Sequence, residues 1–364
     1  MSVDPAIASG YRSYLPSNLP KNLPAPGHVF RPAVVAPFPR ERAHVPTSTT
    51  VWPNLPDRCF GVDRELPEWL LRPWTLLQDA AQRRRPLADR LADLTRVAQA
   101  LDDIFALHLP AEVNWFESQA AAGLSIEENI PRWVDELIGE ATRLFLHQLR
   151  PELVDEGIFV RSVAQLDEWQ REWLHDHFMQ RIYPLLTPLA VDPGRPFPYI
   201  SSDSLNLLVE LNRVEGVRAG NSVDRNTLFA RVKVPRATPR LVAVPTQPSN
   251  GFAPTLFVCS ADLVRFFVHR LFADMPVRHV YLFRVVRGAQ SLPGADAVQP
   301  TRTRRQDDSP VVRLDVEQRM SAPVLEWLME HLHLPRYALA QHDRLFDWAC
   351  LSNMVDRVAS RGGH

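Results

Sequence analysis

Near residue 180 the spacing of apolar residues changes from three-and-four to two, and this confines the chain to helices first and strands after. Upstream, Leu87, Leu91, Leu94, Val97 and Leu101 recur at helical spacing, with arginines and aspartates between them. One apolar stripe on a 3.6-residue period buries against other helices. Ser125-Ile126-Glu127-Glu128 reads as a capping box, the serine accepting from the third backbone N–H while the glutamate reaches back. A helix is predicted from there through Trp133, Leu137, Leu144 and Phe145. Downstream, Leu205, Leu207, Val209 and Leu211 alternate with Asn206, Leu208 and Glu210, and the runs from Leu228 and from Val280 alternate too. Period two means strands. Two helices interrupt them, one after Ser260 and one from about Pro323 through Leu332. The expected class is α+β: a helical bundle over residues 57–150, a mixed α+β domain over 151–354, and a short tail, 355–364.

Residues 1–56 hold 11 of the 33 prolines and no apolar period. Proline removes a backbone donor, so this leader is expected to be disordered. Ser162-Val163-Ala164-Gln165 is a second capping box, predicted to open a helix carrying Leu166, Trp169, Trp173 and Phe178. The two tryptophans read as core or as an interface between the domains. Pro184, Pro188, Pro193, Pro196 and Pro198 set a stiff path onward. The polar stretch 288–310 reads as a surface excursion.

Charge and cysteine usage exclude several function classes. The net charge of −1 gives no overall basic excess for nucleic acid. Every basic residue but Lys21 and Lys233 is arginine, spread over the whole chain. Cys59, Cys259 and Cys350 lie far apart, without metal-ligand spacing, and their odd number argues against a secreted disulfide frame. No secretory signal and no membrane-length apolar stretch is visible. The expected compartment is the cytoplasm, and no metal is expected.

Ile182-Tyr183-Pro184-Leu185-Leu186-Thr187-Pro188-Leu189-Ala190-Val191-Asp192-Pro193 is followed by Pro196-Phe197-Pro198-Tyr199-Ile200 and then Ser204-Leu205-Asn206-Leu207. With Phe229-Ala230-Arg231-Val232-Lys233-Val234-Pro235 and Phe283-Arg284-Val285, these segments resemble the signature of bacterial ATP-using polyphosphate kinases. Gly123-Leu124-Ser125-Ile126-Glu127-Glu128 fits the same pattern, and the resemblance covers roughly residues 60–350. It implies that residues 57–150 are the family's helical N-terminal domain and 151–354 its head domain, which contributes to dimer contacts.

The family reaction is the reversible transfer of the terminal phosphate of ATP to polyphosphate through a phosphohistidine. By resemblance that chemistry, with its ATP and Mg²⁺, lies in two later domains that are not represented here. No histidine of this chain is followed two places on by lysine. His175-Asp176-His177 and His331-Leu332-His333 read as helix-surface or helix-end pairs, since residues two apart do not share a helix face. The family's adenine-contacting asparagine falls on Ala100, which has no amide. That loss costs about 1–3 kcal/mol, or roughly tenfold to a hundredfold in affinity. Arg64-Glu65-Leu66-Pro67-Glu68-Trp69-Leu70 is also one residue longer than the family segment it resembles.

Hence no catalytic residue, bound cofactor or metal is expected within this chain. Asp102 and Asp103 read as solvated or structural. Arg231 and Lys233 share a strand face with Phe229 and are candidates to touch polyphosphate, an exposed charged face being the commoner explanation. Arg302, Arg304 and Arg305 are candidates for the same contact, or members of a mobile loop. The expected function is a polyphosphate kinase-like protein, non-catalytic alone, acting through head-domain contacts with a second copy or a full-length kinase. The alternatives are one piece of a split or longer kinase, and a nucleotide or polyphosphate sensor.

Overall fold

The computed structural model describes residues 55–60, 66–108, 126–191, 197–202, 204–212, 227–246, 254–273, 275–288, 309–342 and 348–361. The leader up to residue 54, the serine of the first capping box and Arg302, Arg304 and Arg305 lie outside the described residues. The class is α+β.

The helical layer contains α1 (Leu55–Phe60), α2 (Glu68–Ala81), α3 (Leu87–Asp103), α4 (Ile126–Leu144) and α5 (Arg150–Asp155). The stripe seen in the sequence does the packing: Leu91, Leu94, Val97 and Leu101 of α3 meet Trp133, Val134 and Leu137 of α4 in one buried cluster. Arg90 is buried within this layer. Its Nε donates to the Ala80 carbonyl at 2.8 Å and its Nη1 to Glu152 Oε2 at 2.6 Å, tying α2, α3 and α5 together. The first and last of those helices therefore share a charged clasp that neither apolar stripe reveals.

Two sheets follow. The smaller has the order β1-β6-β5, from Ile158–Val160, Thr255–Cys259 and Leu241–Val244. The larger has the order β2-β4-β3-β7-β8-β9, from Leu189–Val191, Thr227–Lys233, Leu205–Asn212, Val277–Arg287, Val311–Glu317 and Leu339–His342. The predicted alternation on β3 divides two cores. Leu205, Leu207, Val209 and Leu211 pack toward α6 (Glu168–His177) and α7 (Ser260–Phe267). Leu208 packs on the opposite face, toward α8 (Ala322–Leu332). Both faces of this strand are buried, so its inward-pointing polar residues need partners inside the protein.

Several local expectations are corrected. The Ser162 segment opens only the 3₁₀ turn Val163–Gln165: Ser162 N–H donates to Gln165 Oε1, whereas Gln165 N–H goes to the Ser162 carbonyl. Helix α6 starts later, at its own box, where Asp167 accepts from Gln170 N–H at 2.8 Å and Gln170 Oε1 accepts from Asp167 N–H. That phase leaves Trp169 45% exposed, so it is neither core nor domain interface. The expected tail is mostly helix: Ser352–Arg361 forms α9 and packs on α3. Met354 and Val358 join Leu351 in the helical-layer core. Their three- and four-residue spacing was the available signal. Helix α1 likewise begins two residues inside the expected leader.

Candidate functional site

Two groups of charged side chains lie on the larger sheet, one paired with carboxylates and the other with carbonyls and hydroxyls. The first lies under the helical layer. Asp102, near the end of α3, accepts from Arg284 Nη1 at 2.7 Å and from Nη2 at 2.8 Å. Arg284 Nε donates to Asp315 Oδ2 at 3.1 Å. Arg313 grips Asp315 Oδ1 through Nε and Nη2, and His342 Nε2 lies 2.8 Å from the same oxygen. Asp315 is fully buried: burial pushes its carboxyl up, but Arg313, Arg284 and the bond from His342 outweigh this and hold it well below the usual carboxylate range. The Arg313 guanidinium lies 4.9 Å from the Phe105 ring centroid. Asp102 is therefore the structural member of its pair, as one of the two sequence readings had it. The arginines around it are spent on carboxylates and are not displayed to a substrate.

The second group lies around residues 199–204. Arg231 is buried, contrary to the exposed strand face that its charge predicted, because α8 and the 199–204 segment cover that face of β4. Its Nη1 donates to the Tyr199 carbonyl at 2.9 Å, and burial pulls its guanidinium down from its ordinary value. Lys233 Nζ donates to Ser201 Oγ at 2.7 Å. Arg236 donates to the Ser202 carbonyl. Arg287 Nε donates to the Ile200 carbonyl at 2.7 Å, and its guanidinium stacks 4.4 Å from the Tyr199 ring centroid. Carbonyls and hydroxyls are thus the partners of four cations, and among the described residues none of the four pairs with a carboxylate. Burial, then Arg236 and Arg231, lowers the Lys233 ammonium from its ordinary value.

Beside this group, β2 forms the edge of the same sheet among the described residues. Among the described residues strand β2 pairs with β4 alone, Leu189 lying opposite Arg231. Leu185 is 48% exposed, Leu189 38% and Tyr199 40%. Arg231 connects two of them, donating to the Tyr199 carbonyl and lying opposite Leu189.

The histidine pairs take structural places. His177 stacks on Trp173 at 5.1 Å, and burial followed by Arg181 lowers its imidazole from the ordinary value. His333 closes α8 in the left-handed region at φ 54°, donating its N–H back into the last turn. Ala100 is buried on α3. Among the described residues no group of three metal-ligating side chains is close enough to hold an ion.

A family model described as "Polyphosphate kinase middle domain" matches residues 169–354, which carry the larger sheet, the basic group and the open edge. The chain belongs to the polyphosphate kinase family. A polyphosphate kinase of Synechocystis sp. is 31% identical over 310 residues, which cover 80% of this chain and 41% of that protein. A polyphosphate kinase of Mycobacterium ulcerans is 33% identical over 297 residues, covering 77% of this chain and 39% of its own. A crystal structure of polyphosphate kinase from Porphyromonas gingivalis superposes with a TM-score of 0.61 at 21% identity, over 79% of this chain and 40% of that one, which is agreement in fold. The chain therefore spans about two fifths of the length of these polyphosphate kinases. Sequence reasoning found the head signature and Arg231 with Lys233. It missed Arg236 and Arg287 as their neighbours, and the Asp102–Arg284 pair, because each contact joins distant segments.

Proposed function

We propose that this chain is a polyphosphate kinase-family assembly module, non-catalytic alone, whose head domain pairs with a second copy or with a full-length family member. The observations that carry this reading are that β2 is the sheet edge among the described residues and that Leu185, Leu189 and Tyr199 are exposed. Strand β2 is only three residues long, so backbone pairing there supplies few hydrogen bonds. Association must draw chiefly on the apolar side chains, at about 25 cal/mol for each Å² buried. Cys59, Cys259 and Cys350 form no disulfide among the described residues, which suits a reducing compartment, and the cytoplasm is the setting we assign. No helix among the described residues is long and apolar enough to cross a membrane.

Sedimentation velocity tests the module directly. The purified chain should sediment as a dimer at tens of micromolar, and Leu185→Glu with Leu189→Glu should sediment as a monomer with an unchanged melting temperature. A monomeric parent, or a variant that still pairs, refutes this surface. Sustained ATP-dependent polyphosphate synthesis by the pure chain refutes the non-catalytic part.

A second reading, contact with polyphosphate through Arg231 and Lys233, is favoured by the absence, among the described residues, of carboxylate partners for these two cations. Arg302, Arg304 and Arg305 belong to the same reading.

A further inference from the structure

Trp169 belongs to none of the three buried clusters, and it stands on the wall of a groove of about 770 Å³. The volume lies within the range of ligand sites, about 300–1,000 Å³. Phe159 of β1 and Leu256 of β6 pair in register, so their side chains are neighbours on one face of the smaller sheet, and both line the groove. The first turn of α6 carries Trp169 beside that face. Two hydrogen bonds hold the walls. Gln170 Nε2 donates to the Pro245 carbonyl at 3.5 Å, fastening α6 to the end of β5. Thr246 Oγ1 donates to the Pro254 carbonyl at 2.7 Å across the connection from β5 to β6.

Apolar and acidic side chains share this groove. Asp167, Glu168 and Glu172 line it, against Arg161 as the one cation among the described lining residues. Arg161 is engaged over the Phe159 ring, 5.7 Å from its centroid. The connection 247–253 contains no charged residue, so it leaves the balance unchanged. Asp167 and Glu168 serve the helix N-terminus, where acids are favoured. Glu172 lies beyond the first turn, four residues from Glu168 and three from Trp169, so the three are neighbours on one helix face. Like charges at that spacing repel, and a cation laid between the indole and the carboxylates relieves the repulsion.

The floor offers a guest side chains and not backbone. Strand β6 is the middle strand, paired on both sides, so an added strand finds no ladder there. A polyproline II helix needs no such ladder, and its stiff backbone loses little entropy on docking against aromatic rings.

We propose that this groove docks an extended proline-rich peptide of a partner protein, its prolines against Trp169 and Leu256 and an arginine beside Glu172. The surface belongs to α6 and the smaller sheet, so it goes beyond the self-association surface at β2 and does not depend on it.

Fluorescence anisotropy on the full chain tests the proposal, with a labelled peptide of eight prolines followed by two arginines. One peptide should bind per chain. Replacing its arginines by glutamates, or its prolines by alternating glycine and serine, should each weaken binding. Trp169→Ala should weaken it roughly tenfold to a hundredfold, as for an aromatic anchor, while Trp169→Phe restores part of the loss. Glu172→Gln, at an exposed position, should weaken it about twofold to fivefold. No binding of the proline–arginine peptide, equal binding of the glycine–serine peptide, or unchanged affinity in Trp169→Ala overturns the site. Self-association that is lost in Trp169→Ala assigns the groove to a second copy and likewise overturns it.

Hydroxyl-radical footprinting gives a readout on the unaltered chain. The proline–arginine peptide, but not its glutamate counterpart, should slow oxidation of Trp169 severalfold. Oxidation indifferent to the peptide counts against the groove even if the variants fail to fold.

Discussion

Replacing Arg284 by methionine should cost about 3–5 kcal/mol of stability, as expected when a cation is removed from a fully buried carboxylate, here Asp315. The structure sets that scale. Arg284 makes two bonds to Asp102 at 2.7 and 2.8 Å and one to Asp315 at 3.1 Å. Asp102 lies 182 residues away in sequence, so the pair fastens the helical layer to the sheet. Methionine keeps much of the stem but leaves two carboxylates short of a cation. Asp315 retains Arg313 and His342, so the loss should not exceed that range. Exposed pairs are worth about 0–1 kcal/mol, so the two regimes are well separated. Arg319, 39% exposed beside Glu317, is the matched control, and Arg319→Met should stay below about 1 kcal/mol.

Urea unfolding followed by tryptophan fluorescence gives both values, and at about 2–4 °C per kcal/mol the Arg284 variant should melt roughly 6–20 °C lower. Asp102→Asn combined with Arg284→Met should cost less than the sum of the single changes by at least about 1 kcal/mol. An Arg284→Met loss below about 1 kcal/mol, or strict additivity in the cycle, refutes the assignment of this network to the seam.

Two further outcomes follow from the charged groups. The folded Asp315 carboxyl lies below its unfolded value near 3.9, so its contribution is complete above that pH and is lost as pH falls through the folded value. Thermal melts should decline below about pH 4, and Arg284→Met should make that decline shallower and end it at higher pH; parallel acid limbs would contradict the linkage. For the polyphosphate reading, retention of the chain on immobilised polyphosphate should weaken with salt. Lys233→Ala, and Arg302, Arg304 and Arg305 changed together to alanine, should lower it further; failure to bind even at low salt removes the reading.

The local pattern carried much of the architecture. Helical spacing at Leu87, Leu91 and Leu94 gave α3, and alternation from Leu205 to Leu211 gave β3 with its buried faces. These patterns are short-range because side-chain direction follows backbone period. The smaller sheet was not legible, since Ile158–Val160, Leu241–Val244 and Thr255–Cys259 are short and mostly buried runs with no clear alternation. Periodicity alone cannot assign such runs. Trp169 shows the same limit from the other side, because moving the helix start from Ser162 to Asp167 turned an expected core residue outward.

By itself the sequence determined the α+β class, the order of the main helices and strands, and the segments that place the chain in its family. Only the tertiary structure decided which charges meet carboxylates and which meet carbonyls and hydroxyls. It paired Asp102 with Arg284 and covered Arg231. A period reports which way a side chain points from its own backbone. A charge's role depends on what the rest of the chain places opposite it, and that is settled only when the layers close.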